Sequence, residues 1–225
     1  MRKYLTFTLC AILLVISTGI ACAVESITIL HINDFHGRIN PYVDKAIDAE
    51  RPVGGAAYLA AMIAGERTRN PRGTILLSAG DMFQGTPVSN LFFGKPVLEI
   101  MNELRFDAMV LGNHEFDWGR GVLADNLSHA AFPFLSANTV DGSGRLLPGV
   151  KPYVIIERKG VKVAVIGITT PETAYTTKME YVKDLTFIAP TAAVPRLIKE
   201  VKQQGAQLVV LLTHLGLDAD EKLAA

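Results

Sequence analysis

Short apolar runs alternate with helix-period stripes along most of this chain, and each run ends in polar, turn-forming residues. Ile27 to Leu30 with Ile32, Ile75 to Leu77, Met109 to Leu111 and Leu208 to Leu212 are too short for buried helices. Each predicts a buried strand. Helical spacing predicts Ala56–Arg67, with Leu59, Met62 and Ile63 inward, and a helix opened by Pro96, with Val97, Leu98, Ile100, Met101 and Leu104 as its stripe. It also predicts Gly119–Ala131, with Val122, Leu123 and Leu127 inward, and Pro190–Gln204, with Val194, Leu197, Ile198 and Val201 inward and Gly205 as the cap. Phe132–Ala137 reads as a further strand. Tyr153–Glu157 and Val161–Ile168, joined by Arg158-Lys159-Gly160, read as a β-hairpin. Residues 40–52 are polar with two prolines and read as a loop. Alternating strands and helices give an α/β class, and the hairpin argues against a purely parallel sheet.

The polar residues that end the strands carry the chemistry. The first strand runs into Asn33, Asp34 and His36, and the second into Gly80, Asp81 and Gln84. The third runs into Gly112, Asn113, His114, Glu115, Phe116 and Asp117, and the fourth into Thr213 and His214. If the four strands lie side by side, these groups converge on one rim, where α/β sheets bind ligands.

Charge and cysteine usage narrow the options. Lys+Arg and Asp+Glu both number 22, so the formal charge is zero and no basic face for a nucleic acid polymer is expected. Arg2 and Lys3, an apolar stretch to Ile20, and the small residues Ala21-Cys22-Ala23 predict an export signal over residues 1–23. That implies a periplasmic or extracellular protein with no membrane anchor after cleavage; lipidation at Cys22 is disfavoured, because Gly19 stands where a large aliphatic residue is needed. Both cysteines, Cys10 and Cys22, lie in this segment, so residues 24–225 contain no thiolate ligand. Any metal there must be held by His, Asp, Glu, Asn or Gln, which suits Zn, Mn or Co without choosing among them.

A divalent metal pair needs one bridging carboxylate and separate ligands for each ion. Asp34, His36, Asp81, Asn113 and His214 are of the right types. His114, beside Asn113, would face the substrate, and Asp117 would orient its ring. These segments resemble the binuclear metallophosphoesterases, and among them the secreted 5′-nucleotidase family, which includes UDP-sugar hydrolases and 2′,3′-cyclic nucleotide phosphodiesterases. The resemblance rests on Ile29-Leu30-His31-Ile32-Asn33-Asp34-Phe35-His36-Gly37, Gly80-Asp81-Met82-Phe83-Gln84-Gly85-Thr86, Gly112-Asn113-His114-Glu115-Phe116-Asp117 and Thr213-His214-Leu215-Gly216.

The resemblance implies a four-layer αββα sandwich over residues 24–225 and two divalent metal ions. It implies that Asp34 and His36 bind the first ion, that Asp81 bridges, and that Asn113 and His214 bind the second. It further implies that His114, oriented by Asp117, stabilises the transition state, while His31 is structural. The implied substrate is a small nucleotide or related phosphate ester. A Gly-His-x-His segment and a C-terminal substrate-binding domain, which the family carries later in its chain, have no counterpart before Ala225. The expectation is therefore an N-terminal part of such an enzyme, whose final strand leaves an unpaired edge. The competing readings are a 2′,3′-cyclic nucleotide phosphodiesterase and a catalytically incompetent metal-binding domain.

Other features read as structural. Gly54-Gly55 opens a helix without a P-loop lysine after it, and Ser78 lacks a nucleophile elbow. Trp118 is expected to pack beneath the site. His129 and the charges at Glu180, Lys183 and Asp184 are expected in solvent.

Overall fold

The computed structural model describes residues 25–225, so the export segment expected at 1–23 lies outside the described residues. The chain begins with β1 (Thr28–Ile32), β2 (Tyr42–Asp44) and β3 (Asp48–Val53), then α1 (Ala56–Arg69) and β4 (Thr74–Ser78). Next come α2 (Pro87–Leu91), α3 (Lys95–Glu103), β5 (Ala108–Val110), a single 3-10 turn (His114–Phe116) and α4 (Gly119–His129). β6 (Phe134–Leu135), β7 (Thr139–Asp141), β8 (Val150–Lys151), β9 (Tyr153–Arg158) and β10 (Val161–Thr169) follow. The chain continues through α5 (Thr173–Thr176), α6 (Met179–Val182), β11 (Leu185–Phe187), α7 (Pro190–Gln203), β12 (Leu208–His214) and α8 (Leu217–Ala224).

Two sheets face each other. The first is parallel, in the order β1-β4-β5-β6-β8; the second is β12-β10-β9, with β10 parallel to β12 and antiparallel to β9. Side-chain alternation along each strand builds the layers. Ile75 and Leu77 of β4 and Ala108 and Val110 of β5 point inward to meet Val163, Val165 and Leu212 of the second sheet. On the opposite face of the first sheet, Leu76 and Met109 pack with Ile63, Leu98, Met101 and Leu123 of α1, α3 and α4. Ala164, Ile166 and Ile168 of β10 meet Val194, Leu197 and Val201 of α7. Strands apolar on both faces therefore sit between helices, giving an αββα sandwich. Each fully buried Leu or Ile contributes roughly 1.5–3 kcal/mol.

The two sheets come into close contact at Gly167. A Cβ there would press on Leu135 Cβ and lie 2.9 Å from the Leu135 carbonyl carbon. Gly167→Ala is expected to destabilise by about 1–3 kcal/mol through overpacking. A urea midpoint equal to that of the parent would show instead that the sheets part without cost.

Several expectations need correction. Residues 40–52 contain the antiparallel β2–β3 ribbon rather than a plain loop. Arg38 lies over the Tyr42 ring at 4.6 Å, and the Asp48 carboxylate accepts from the Glu50 and Arg51 amides, so local polar contacts supply what an apolar pattern does not. Met62 is 72% exposed, because α1 turns Ile63 and Ala56 inward and leaves Met62 on the outside. The strand expected over 132–137 is only Phe134–Leu135, and Pro133 has no amide with which to extend it. Glu180, Lys183 and Asp184 are exposed as expected, with Glu180 in α6 and Asp184 paired with Arg120 at 2.7 Å. β12 pairs with β10 alone among the described residues, which leaves the expected free edge.

Candidate metal centre

The loops after β1 and β4 continue the pairing of the strands they leave. The Asp34 amide donates to the Gly80 carbonyl, His36 to Asp81 and Gly37 to Met82, at 3.1, 3.1 and 2.9 Å. Asp34, His36 and Asp81 all adopt left-handed backbone, with φ of 52°, 50° and 55°. Few residues other than glycine accept it; Asp, Asn and His are among those that do. This turn reverses the usual aim of the side chains, and the three donors meet above the strand ends.

Asp81 is the hub. Its Oδ1 accepts from the His114 amide at 2.9 Å, and its Oδ2 lies 3.2 Å from His214 Nε2. Asp34, Asp81 and His214 offer ligand atoms within 4.8 Å of one another, and so do His36, Asp81 and His114. Asn113 Oδ1 stands 3.3 Å from His214 Nε2, and His36 Nε2 stands 3.5 Å from Asp34 Oδ1. The two groups thus share one carboxylate. Gly112 leaves room for it, since a Cβ there would fall on Asp81 Oδ1.

The histidines are fixed from behind. His214 Nδ1 lies 2.7 Å from the Ala79 carbonyl, and His36 Nδ1 lies 2.8 Å from the Gln84 carbonyl. A carbonyl accepts only, so each Nδ1 carries the proton and each Nε2 faces the carboxylates. This backing by a second hydrogen bond is the usual condition of metal-binding imidazoles. Oxygen and nitrogen donors in two groups, with a shared carboxylate and pre-set rings, fit a pair of divalent cations.

His114 is held differently. Its Nδ1 meets Asp117 Oδ2 at 2.6 Å, and Asp117 Oδ1 accepts from Thr177 Oγ1 at 2.8 Å. The His36 and His114 rings stand edge to face at 5.2 Å. Trp118 packs below against Phe93 and the core, as expected.

Charges tune one another here. The hydrogen bond with Asp117 raises His114 above its ordinary value despite partial burial, and the Asp81 charge adds to this. Burial works against a charged imidazole at His214, yet the Asp81 carboxylate outweighs it and pushes His214 up to about 9. At Asp81 itself burial opposes ionisation, and His214 and His114 more than offset it, holding the carboxyl below its usual range. Asp117→Asn is therefore expected to lower the His114 pKa in metal-free protein, read by its ring shifts during an NMR titration. An unmoved titration would assign the raised value to Asp81 instead.

All seven residues singled out in the sequence reach one rim: Asp34, His36, Asp81, Asn113, His114, Asp117 and His214. That rim is not made by one sheet. β1, β4 and β5 are neighbours, while His214 arrives from β12 of the second sheet. His31 stands exposed on β1, outside both donor groups. His129 is solvated and bonded to the Asp125 carbonyl.

Two further residues had no assigned role in the sequence. Glu115 is 3% exposed, and its carboxylate accepts from the amides of Asp81, Met82 and Gly112 at 2.9, 3.0 and 2.7 Å. Burial, then the Asp81 charge, push it up to about 7. Its signal was its position beside His114, but nothing in the sequence separates an inward from an outward carboxylate there. Thr177 had no signal, since its partner Asp117 lies 60 positions away.

Known proteins share this arrangement of sequence. The calcineurin-like phosphoesterase family pattern matches residues 27–224. A probable 5′-nucleotidase of Treponema pallidum is 37% identical over 203 residues, 88% of this chain and 34% of that protein. Protein UshA of Escherichia coli is 36% identical over 195 residues, 84% of this chain and 34% of that protein. The crystal structure of a 5′-nucleotidase precursor from Thermus thermophilus superposes with a TM-score of 0.80 at 35% identity, covering 88% of this chain and 39% of that one. The chain thus spans about a third of the length of the curated relatives it matches. On the family match and the shared fold, the chain belongs to the calcineurin-like phosphoesterases.

Proposed function

We propose that the protein hydrolyses phosphate esters of nucleotides outside the cytoplasm, as a 5′-nucleotidase-like enzyme dependent on two divalent cations. The observation that carries this is the sharing of Asp81 between two donor groups, one of which includes His114, an imidazole also fixed by its own carboxylate. The 5′-nucleotidase relatives favour nucleotides as substrates, and the segment 1–23 favours export.

Asp34 and His36, 3.5 Å apart, would hold one cation with Asp81, and Asn113 and His214, 3.3 Å apart, the other with Asp81, which regroups the two sets by pairing Asp34 with His36 and leaving His114 free for substrate. When bound, such a pair polarises the phosphoryl oxygens and lowers the pKa of water enough for attack at neutral pH. His114 does separate work. Asp117 holds its Nδ1, and that hydrogen bond favours the protonated form of His114. The ring therefore donates, first to a phosphoryl oxygen as charge builds there and then to the leaving ester oxygen. Asp117 keeps the imidazolium stable and aimed, and Thr177 keeps Asp117 in place. A cleft of about 400 Å³ beside His114, reached by Gln84, Asn90 and Lys178, offers room for the ester's organic part.

The test is chromatographic product analysis, with Mn or Zn supplied and metal content measured in parallel: adenosine and phosphate from AMP, UMP and sugar 1-phosphate from a UDP-sugar, and the ring-opened monoester from 2′,3′-cyclic AMP. The expected result is turnover of AMP that chelation abolishes and metal restores. Preference for the cyclic ester would make the protein a phosphodiesterase. Two ions per chain without turnover would leave a metal-binding domain and overturn the proposal.

A further inference from the structure

Four arginines meet at the end of the sheets opposite the metal centre. Arg67 comes from the last turn of α1, Arg72 from the turn before β4, Arg105 from the segment between α3 and β5, and Arg158 from the end of β9. With Thr74 and Asp107 they line a cavity of about 430 Å³, within the usual range for small-ligand sites.

Two of the guanidinium groups are fixed by the fold. Arg67 donates to the Leu104 and Arg105 carbonyls at 2.7 and 2.9 Å. Arg158 donates to the Thr74 carbonyl at 3.2 Å and pairs with Asp107, whose other oxygen accepts from the Leu76 amide. The other two, Arg72 and Arg105, are exposed and have no carboxylate partner among the described residues.

The charges do not balance. Helix C-termini attract arginines, and α1 and α3 both end here, each carrying about −0.5 of a charge. Together with Asp107 they supply about −2 against four guanidinium groups, leaving about +2 in a concave site where field lines concentrate. Planar guanidinium forks suit tetrahedral oxyanions, which they grip through two parallel N–H bonds.

We infer that this cavity is a second anion site, taking a phosphate-class dianion through Arg72 and Arg105 with Arg67 and Arg158 as its fixed wall. The ligand is free phosphate or the phosphate group of a larger molecule. The site is independent of the proposed hydrolysis, because none of its residues belongs to the metal centre.

The experiment is an amide NMR titration of the full chain with EDTA present, at low ionic strength. EDTA keeps cations from recruiting phosphate to the metal centre, so the result does not depend on turnover. Inorganic phosphate is expected to shift the Arg72, Thr74 and Asp107 amides saturably, and acetate at equal ionic strength is not. The double variant Arg72→Gln, Arg105→Gln should bind roughly tenfold more weakly or worse. Its melting temperature should be unchanged, since both side chains are exposed, and Arg120→Gln serves as the control on another face. AMP binding more tightly than phosphate would identify a phosphate carried on a larger molecule; equal binding would identify free phosphate. No saturable shift, equal shifts with acetate, or unchanged affinity in the double variant would each overturn the site.

Discussion

Asp81→Asn is expected to leave a folded protein that has lost both cations and, with them, on the order of a thousandfold or more of its turnover. Asp81 stands in both donor groups, so neutralising it weakens two sites at once. Asn is the informative replacement because it tolerates the left-handed backbone at φ 55°, and its amide oxygen can still accept from the His114 amide. Elemental analysis and phosphate release should therefore fall together while circular dichroism stays constant. Two ions per chain with undiminished turnover would sink the mechanism. The same variant has a signature without metal. His214 is raised to about 9 by Asp81, so the pair stabilises metal-free protein fully below pH 6.5, and less as pH rises through about 9. Removing the carboxylate should flatten that decline.

The second large effect concerns stability. Glu115→Ala strands three amides, those of Asp81, Met82 and Gly112, in a site with almost no access to water. At roughly 1–3 kcal/mol for each of the three unsatisfied groups, the loss is on the order of 3–9 kcal/mol, a large part of the stability of an ordinary domain. Urea unfolding is the measurement, and a loss below about 1 kcal/mol would mean that water fills the gap. Glu115→Gln should recover only part of it, because one amide oxygen replaces two carboxylate oxygens. Both variants should also alter the pH profile of the metal-free protein. Burial raises Glu115 to about 7, so its contribution is full below pH 4.5 and fades as pH rises through about 7. That slope should disappear once the group cannot ionise.

Part of this fold and site is legible in the sequence, and part is not. β4, β5 and β10 were legible because runs apolar on both faces have few alternatives to a covered sheet. α3 and α7 were legible because their stripes are wide and regular. The β2–β3 ribbon was not, since Asp48-Ala49-Glu50-Arg51-Pro52 has no apolar alternation and forms through its own polar contacts. α1 misled at Met62 because alanines dominate the helix and leave its inward face weakly marked. In the site, the donor types followed from the strand ends alone. Three things did not: the arrival of His214 from the second sheet, the inward turn of Glu115, and the contact of Thr177 with Asp117. Each depends on distant segments meeting, which local spacing does not record.

The left-handed turns at Asp34, His36 and Asp81 bear on any effort to transplant this centre. Copying the donors onto the ends of ideal extended strands would reproduce the list of side chains and miss their aim, because the positive φ at Asp34, His36 and Asp81 has no place in regular strand geometry. The pair of interlocked loops, with Glu115 beneath them as the clamp, carries Asp34, His36 and Asp81, while Asn113 and His114 come from after β5 and His214 from β12. A recipient scaffold must therefore offer two adjacent parallel strands and a buried position for a carboxylate. A helical bundle lacks the paired strands.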